Sequence, residues 1–176
     1  MSGTGAGGRM TVEELEKAIR NGAVDTVVNA ITDMQGRLMG KRVTGDFFLE
    51  HARHGPHFCT YLLATDMEMA TPGGYALANW ESGYGDWLAD PDWSTLRLIP
   101  WLEKTALVLA DARDEESGEL IPVAPRGILR RQVERAKEMG FTPKMASELE
   151  FYLLRETFEE AAEKQFVGLT PFGWYN

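Results

Sequence analysis

The 176-residue sequence has one cysteine, few basic residues and no long apolar segment. Because Cys59 has no second cysteine to pair with, no internal disulfide can form, and we expect a reducing, cytoplasmic location. The 18 lysines and arginines against 27 acids give a net charge of −9, which argues against a nucleic-acid partner. No apolar run approaches the roughly 20 residues that span a bilayer, so no membrane partner is expected.

Several common catalytic motifs are missing as well. The sequence has no Gly-x-x-x-x-Gly-Lys-Ser/Thr loop and no Gly-x-Gly-x-x-Gly after a strand, the two patterns that most often surround phosphates. It also has no Gly-x-Ser-x-Gly, so a serine hydrolase of the usual kind is unsupported. Any chemistry must therefore come from less familiar patterns.

The periodicity along the chain predicts an α+β protein. Residues 1–10 are glycine-rich without an apolar core, so we expect a disordered tail and no signal peptide. Helices are expected at 11–22, 47–53, 125–140 and 159–164, and strands at 25–32, 37–43, 58–64, 94–100, 105–112 and 142–154. Residues 71–92 are predicted as one long irregular loop, and a domain boundary is expected between 113 and 124.

The predicted strand at 142–154 contains two carboxylates, Glu148 and Glu150, inside an otherwise apolar run. Side chains at i and i+2 of a strand share one face, with Cβ atoms about 6.5–7 Å apart. Hard carboxylate oxygens at this spacing suit two neighbouring Mg²⁺ or Mn²⁺ ions. The alternative is a strand with one solvated face, and the pattern alone does not separate these two interpretations.

Other candidate patterns favour simpler explanations. All three histidines, His51, His54 and His57, fall within seven residues, but Gly55-Pro56 ends the predicted helix between the second and the third. One helix face therefore cannot present all three to a metal, and a solvated helix end explains them better. Asp66 and Glu68 repeat the i, i+2 acid spacing, which we attribute to a solvated strand end.

The stretch 83–92 places acids between aromatic residues. Such a segment can bind a cationic amine by charge and by cation–π contact. A cluster of Asp/Gly turns accounts for the same composition equally well. The residues alone leave both interpretations open.

The order of these pieces resembles one family. A hairpin with Asp33-x-x-Gly36-Arg37 comes first, then a loop with Gly85-Asp86 and Asp92, then Pro125-Arg126 opening a helix, and finally Ser147-Glu148-Leu149-Glu150-Phe151-Tyr152. Over roughly residues 12–155 this resembles the amino-terminal part of glutamine synthetase and its relatives, the γ-glutamyl-amine ligases.

The resemblance implies a fold and an activity. It implies a β-grasp amino-terminal domain over 11–113 and the start of a catalytic domain over 114–176. It implies an ATP-dependent ligase for glutamate and an amine, in which Glu148 and Glu150 bind Mg²⁺ or Mn²⁺ and Asp86 helps to bind the amine. It also implies a homo-oligomeric ring, a dodecamer in the family, with active sites between subunits.

The sequence departs from ammonia-using glutamine synthetases in one segment. Where those enzymes have an acid that takes a proton from ammonium, residues 73–79 read Gly-Gly-Tyr-Ala-Leu-Ala-Asn. An acid-free, apolar wall suits an organic amine, such as a polyamine or ethanolamine, better than ammonia. The family is also longer, so this chain alone is expected to be inactive. The alternative hypothesis is a non-catalytic β-grasp module for oligomerisation or regulation.

Overall fold

The structure is a computed structural model that describes residues 8–52, 54–81 and 83–173. The chain divides into two units, the first ending at Phe141 and the second beginning at Thr142. In chain order the elements are α1 (Val12–Arg20), β1 (Thr26–Thr32), β2 (Leu38–Thr44), α2 (Gly45–Phe47) with a π-helical turn (Phe48–Ala52), β3 (His57–Cys59) with a 3₁₀ turn (Thr60–Leu63), β4 (Asp86–Leu98), β5 (Thr105–Arg113), α3 (Pro125–Glu138) and α4 (Phe158–Glu163). This is the predicted α+β class.

Among the described residues, no helix is long and apolar enough to cross a membrane.

The first unit is built on one five-stranded sheet in the order β2-β1-β5-β4-β3. The hairpin β1–β2 is antiparallel, with Ala30 opposite Gly40. β5 lies parallel to β1 and antiparallel to β4, with Val108 opposite Asn29 and Ala112 opposite Ala89. Because β5 is bonded on both edges, it is the strand that joins the hairpin to the rest of the sheet.

One face of this sheet is the apolar core. Alternate residues of β5 point to it, and α1 covers it with Leu15 and Ile19 because these two positions lie on the same side of the helix. Two clusters share this face. The first contains Leu15, Ile19, Val24, Val27, Phe48, Leu96, Ala106 and Val108, and the second contains Ile31, Phe58, Leu63, Trp87, Ala89, Ala110, Ala112, Ile121 and Ala124.

The two edge strands approach each other across this second cluster. Lys41 of β2 donates a hydrogen bond of 2.6 Å to the His57 carbonyl of β3, and its ammonium lies 5.1 Å from the centroid of the Phe58 ring. Phe58 in turn stacks on Trp87 at 5.0 Å. An edge-to-edge contact of this kind requires a curled sheet, since β2 and β3 are the outermost strands.

An ionic network occupies the opposite face of the sheet. Asp92 of β4 and Asp111 of β5 lie on that face, and α3 places Arg126 and Arg130 against them because residues at i and i+4 share a helix face. Arg126 bonds both carboxylates, at 2.6 Å for Asp111, and Arg130 bonds Asp111 at 2.7 Å. The network attaches α3 to the sheet.

The pKa values of two members of the network, Asp92 and Arg126, are shifted. Burial opposes the charged form of Asp92, but the hydrogen bonds from Ser94 and Arg126 outweigh burial and hold the pKa of Asp92 below its ordinary value. Burial acts in the same way on Arg126, whose pKa is nevertheless raised because Asp92 and Asp111 stabilise its charge. Asp92 and Arg126 are therefore both charged at neutral pH.

The second unit contains α4 and a short pairing of chain segments. Leu154 and Pro171 form an isolated antiparallel bridge. Glu156 lies beside it and accepts hydrogen bonds from the Lys164 ammonium at 2.8 Å and from the Thr170 amide at 3.0 Å. Its side chain is only 7% exposed. These bonds, with that of Lys164 first, lower the pKa of Glu156 from 4.5 to about 2.

The strand predicted at 142–154 does not form. Residues 141–153 have no regular structure, and the bridge at Leu154 is the one pairing that this stretch makes within the described residues. A strand must hydrogen-bond its backbone to a neighbouring strand, and within the described residues this stretch makes no ladder with another strand. The sequence pattern predicts that the backbone tends to be extended, but a strand forms only where a neighbouring strand accepts and donates its backbone hydrogen bonds.

Two further predictions need correction. Residues 8–10 are not a disordered tail, because the Met10 amide donates to the Leu96 carbonyl and the Leu98 amide donates to the Gly8 carbonyl. The predicted loop at 71–92 ends earlier, since β4 begins at Asp86. Proline and aspartate are rare in strands, so Pro91 and the nearby aspartates argue against a strand at the sequence level. Pairing with β3 and β5 nevertheless satisfies the backbone hydrogen bonds of β4. Residues 1–7 of the predicted tail lie outside the described residues, and the predicted domain boundary near 113–124 stays a prediction.

Replacing Arg126 by alanine is predicted to destabilise the first unit by about 2–4 kcal/mol. The reason is that Asp111, whose side chain is 7% exposed, and Asp92 would lose their principal cation. Urea unfolding with the fluorescence of the buried Trp87 measures the change. Arg135→Ala, on the exposed side of the same helix, is the matched control and should change stability by less than about 0.5 kcal/mol. Equal stability of the two variants would contradict the role of the network.

Acid is predicted to loosen the second unit through Glu156. Because the folded pKa lies below the unfolded one, the stabilisation by this carboxylate is complete above pH 4.5 and is lost as the pH falls towards about 2. NMR of the Thr170 amide should follow this titration. Glu156→Gln should remove the pH dependence, whereas Glu163→Gln should retain it. A Thr170 amide that titrates near pH 4.5 in the unmodified chain would be incompatible with the assignment.

Candidate functional site

The predicted metal ligands Glu148 and Glu150 lie in the irregular segment 141–153. Both carboxylates are exposed, and neither forms an ion pair with another described residue. Their apolar neighbours are exposed as well, with Leu149 at 85% and Phe151 at 73%. An apolar run this open is unusual for a folded segment, because burying such side chains is the main gain of folding. The two carboxylates are thus carried by a segment whose apolar side chains are not covered.

The donor chemistry of these two residues fits a hard divalent cation, but two ligands do not complete a site. Mg²⁺ prefers six oxygen ligands in octahedral geometry, some of them water. Within the described parts of the chain, no group of three or more His, Cys, Asp or Glu side chains is arranged to hold a metal. Glu148 and Glu150 can therefore supply two ligands of a metal site. Its remaining ligands do not come from the described residues.

Asp86 is the first residue of β4, and its side chain is exposed. It lies opposite Cys59 in the pairing of β3 with β4. Asp92 lies six residues further along the same strand, about 20 Å at 3.3 Å per residue. Asp92 bonds Arg126 and so attaches α3 to the sheet, whereas Asp86 has no ion-pair partner among the described residues.

The segment before Asp86, residues 66–85, crosses the surface without a regular strand or helix in its described part, and Arg37 attaches its beginning. Asp33, at the turn of the hairpin, is buried and bonds the Arg37 guanidinium at 2.7 Å. The same guanidinium donates to the Met67 carbonyl at 2.9 Å. Burial opposes the charge of Asp33, but the hydrogen bonds from Arg37 outweigh it and lower the pKa of Asp33.

Among the described residues, the three histidines are not part of a group of three or more His, Cys, Asp or Glu side chains that could hold a metal. His51 lies in the π-helical turn and approaches Glu50 at 3.5 Å, while His57 begins β3 and approaches Glu115 at 3.2 Å. The two histidines therefore point to different carboxylates at separate places.

Sequence reasoning missed the roles of Asp111 and Arg37. A signal for Asp111 exists, because a lone acid inside the apolar strand Thr105–Arg113 requires a cation, and Arg126 with Arg130 is a pair at helical spacing nearby. Arg37 belongs to the motif Asp33-x-x-Gly36-Arg37, but no sequence pattern shows which distant carbonyls its guanidinium contacts. These hydrogen bonds depend on the tertiary arrangement that places the β1–β2 hairpin next to the segment 66–85.

Comparison with known proteins agrees with this architecture. The family model described as glutamine synthetase, catalytic domain, matches residues 122–171, a range that includes α3, Glu148 and Glu150. A solved structure of GmaS with ADP superimposes with a TM-score of 0.53 at 26% identity, over 71% of this chain and 26% of that one.

Two curated relatives are similar over most of this chain. A γ-glutamylethanolamide synthetase of Streptomyces coelicolor is 48% identical over 94% of the chain and 36% of its own length. A glutamate–isopropylamine ligase of a Pseudomonas species is 35% identical over 84% of the chain and 32% of its own length. The chain thus spans about a third of the length of these relatives. It belongs to the glutamine synthetase family, and within that family it is closer to the γ-glutamyl-amine ligases than to the ammonia-using glutamine synthetases.

Proposed function

We propose that the protein to which this chain belongs is an ATP-dependent ligase that joins the γ-carboxylate of glutamate to an organic amine. The observation that supports this most is the 48% identity, over 94% of the chain, with a γ-glutamylethanolamide synthetase. The acid-free segment 73–79 points in the same direction. ATP as the co-substrate is supported by the ADP complex of the structural neighbour GmaS.

The proposed reaction has two steps. A γ-carboxylate oxygen of glutamate attacks the terminal phosphate of ATP, which gives γ-glutamyl phosphate and ADP. The amine nitrogen then attacks the acyl carbon, the bond to phosphate breaks, and the amine loses a proton as the amide forms. In phosphoryl transfer the protein contributes mainly positioning and electrostatic stabilisation.

Within this scheme Glu148 and Glu150 would hold Mg²⁺ or Mn²⁺. A cation there would screen the negative charges of the phosphate and carboxylate groups from each other. Asp86 would contribute to binding the positively charged amine, since its carboxylate is exposed at the start of β4 and has no ion-pair partner among the described residues. The remaining donors would come from parts of the protein that correspond to the other two thirds of the relatives.

The finer features of the assembly belong to the same proposal. The order of the sheet, with a parallel central pair and the hairpin at one edge, supports a β-grasp amino-terminal domain over 11–113 and a catalytic domain from 114 onwards. Family membership supports a homo-oligomeric ring with sites between subunits. The single cysteine is consistent with a cytoplasmic location.

The proposal predicts that the full-length protein releases phosphate from ATP only with glutamate and an amine present. With a panel of ethanolamine, isopropylamine and ammonia, kcat/KM should be higher for an organic amine than for ammonia. Failure of every amine to support phosphate release would rule out the proposed activity. Faster turnover with ammonia would rule out the organic acceptor and leave the ligase activity in place.

Glu148→Ala and Glu150→Ala are each predicted to lower kcat/KM by roughly 100-fold or more, because each removes a first ligand. The same variants should lower the affinity for Mn²⁺, measured by electron paramagnetic resonance without substrates. Glu138→Ala, an exposed acid at the end of α3, is the matched control and should behave as the unmodified protein. Unchanged Mn²⁺ affinity in both ligand variants would remove the metal assignment.

A further inference from the structure

Two arginines face each other where residues 8–10 join the sheet of the first unit. Arg9 and Arg97 form an antiparallel bridge, and backbone hydrogen bonds between residues 8–10 and 96–98 flank it on both sides. In a pair flanked in this way the two residues do not bond each other, their Cα atoms are only about 4.5 Å apart, and their side chains share one face. The two guanidinium groups are therefore carried on neighbouring points of the same face.

No carboxylate of the described residues relieves this pair. Like charges directly opposite each other on a sheet destabilise it. Neither Arg9 nor Arg97 forms an ion pair with another described residue. Acids are not scarce in this protein, because the chain carries a net charge of −9. An uncompensated arginine pair is therefore contrary to the overall charge of the chain.

A third arginine lies on the same face of the sheet. Residues paired in register share a face, and the register connects Arg97 to Leu107, Leu107 to Val28, and Val28 to Arg42. Arg42 is exposed and has no ion-pair partner in the described part of the chain. It lies three strand spacings from Arg97, about 14 Å, so it adds positive potential without touching a ligand held by Arg97.

Farther along the same face the acids have their own arginines. Asp90 bonds Arg113 at 2.7 Å, and two arginines of α3 bond Asp92 and Asp111. These carboxylates are engaged and do not neutralise the unpaired arginines. The face is thus balanced in charge where α3 covers it and positive where residues 8–10 join it.

Arg97 is held in position before any ligand binds. Its Nε donates to the Thr95 carbonyl at 2.9 Å. Thr95 is itself fixed, because its hydroxyl donates to the Asp92 carbonyl at 2.7 Å and accepts from the Leu109 amide at 2.9 Å. The terminal nitrogens of Arg97 bond no other described residue, so their N–H groups are available to a ligand. A preformed donor loses less entropy on binding than one that must be ordered.

We propose that Arg9 and Arg97 bind a phosphate-type oxyanion between their guanidinium groups. A guanidinium presents a planar fork of N–H donors that matches phosphate oxygens, and charge-assisted hydrogen bonds of this kind are strong. A bound dianion replaces the repulsion between the two arginines by two attractions. This site does not depend on the proposed function, because it is argued from the sheet of the first unit alone.

A small oxyanion fits the arginine pair better than other ligands do. A metal cation would be repelled by both guanidinium groups. An apolar partner would remove water from two charges without replacing it, which is costly. A second copy of the chain could bring a carboxylate, but it carries the same net charge of −9 and is repelled at long range. A small oxyanion meets the charge and the donors of the pair and avoids each of these costs.

Titration of the ¹⁵N-labelled chain with sodium phosphate, at neutral pH and constant ionic strength, tests the binding directly. The backbone amide resonances of Met10 and Leu98 should shift to saturation. Sodium chloride at the same ionic strength should give no saturable shift. If chloride reproduces the shifts, ionic strength alone explains them and the proposal is wrong. Shifts that follow protein concentration instead of phosphate would indicate association between copies and would also overturn it.

Phenyl phosphate in place of inorganic phosphate distinguishes two sources of the anion. Tighter binding of phenyl phosphate would support the site and assign it to a phosphate monoester. Equal or weaker binding would support it as a site for free phosphate. Failure of both compounds to bind would overturn the proposal.

Substitutions locate the site. Arg9→Gln and Arg97→Gln should each weaken phosphate binding by about fivefold or more, because each removes one of two charged donors. Arg9→Lys keeps the charge but loses the planar fork, so it should weaken binding less than Arg9→Gln. Arg20→Gln is the matched control, since Arg20 is exposed and already pairs with Glu16. Unchanged affinity in Arg9→Gln would overturn the proposal.

Stability distinguishes an anion site from two ordinary surface arginines. Without phosphate, Arg9→Gln removes a repulsion, so this variant should be at least as stable in urea as the unmodified chain. Phosphate at ten times its dissociation constant should raise the folding equilibrium constant of the unmodified chain by about tenfold. The same concentration should raise that of Arg9→Gln by only about threefold, because its affinity is about fivefold lower. Equal gains in both proteins would overturn the proposal.

Discussion

The structure of the first unit depends on strand β5 lying between β1 and β4. Residues 105–113 pair in parallel with the first hairpin strand and in antiparallel with residues 86–98, so segments far apart in sequence become neighbours. Its buried positions, among them Ala106, Val108 and Ala110, contribute to both apolar clusters. Without this strand the hairpin would lose its main partner, and a two-stranded hairpin is marginal in water.

The two faces of strand β5 differ in chemistry: one is apolar and the other carries a carboxylate. One face is apolar and is covered by α1, where burial of side chains such as Leu15 supplies the stabilising free energy. The other face presents Asp111, which together with Asp92 requires positive charge. Arg126 and Arg130 meet this requirement, and their geometry sets where α3 lies on the sheet. These ion pairs attach α3 to the sheet, and α3 lies within the range 122–171 that matches the family's catalytic domain.

The residues for which we propose a function lie outside the regular elements or at their ends. Glu148 and Glu150 are on the irregular segment 141–153, and Asp86 follows the irregular stretch 66–85. Binding residues often lie on connecting segments that a scaffold positions, and Arg37 attaches the beginning of the stretch 66–85. Two carboxylates on the segment 141–153 suit the hard cation that we propose.

Local patterns in the sequence determined much of this protein. The spacing of apolar residues and the caps located α1, the hairpin, β5, α3 and α4, because these elements are set by periodicity and by neighbours within a few residues. The ordered motifs around Arg126 and Glu148 identified the family. Tertiary structure alone decided the rest: that β4 starts at Asp86, that residues 8–10 pair with it, and that 142–154 forms no strand. The reason is that a strand exists only where a second strand satisfies its backbone, and that partner lies far away in sequence.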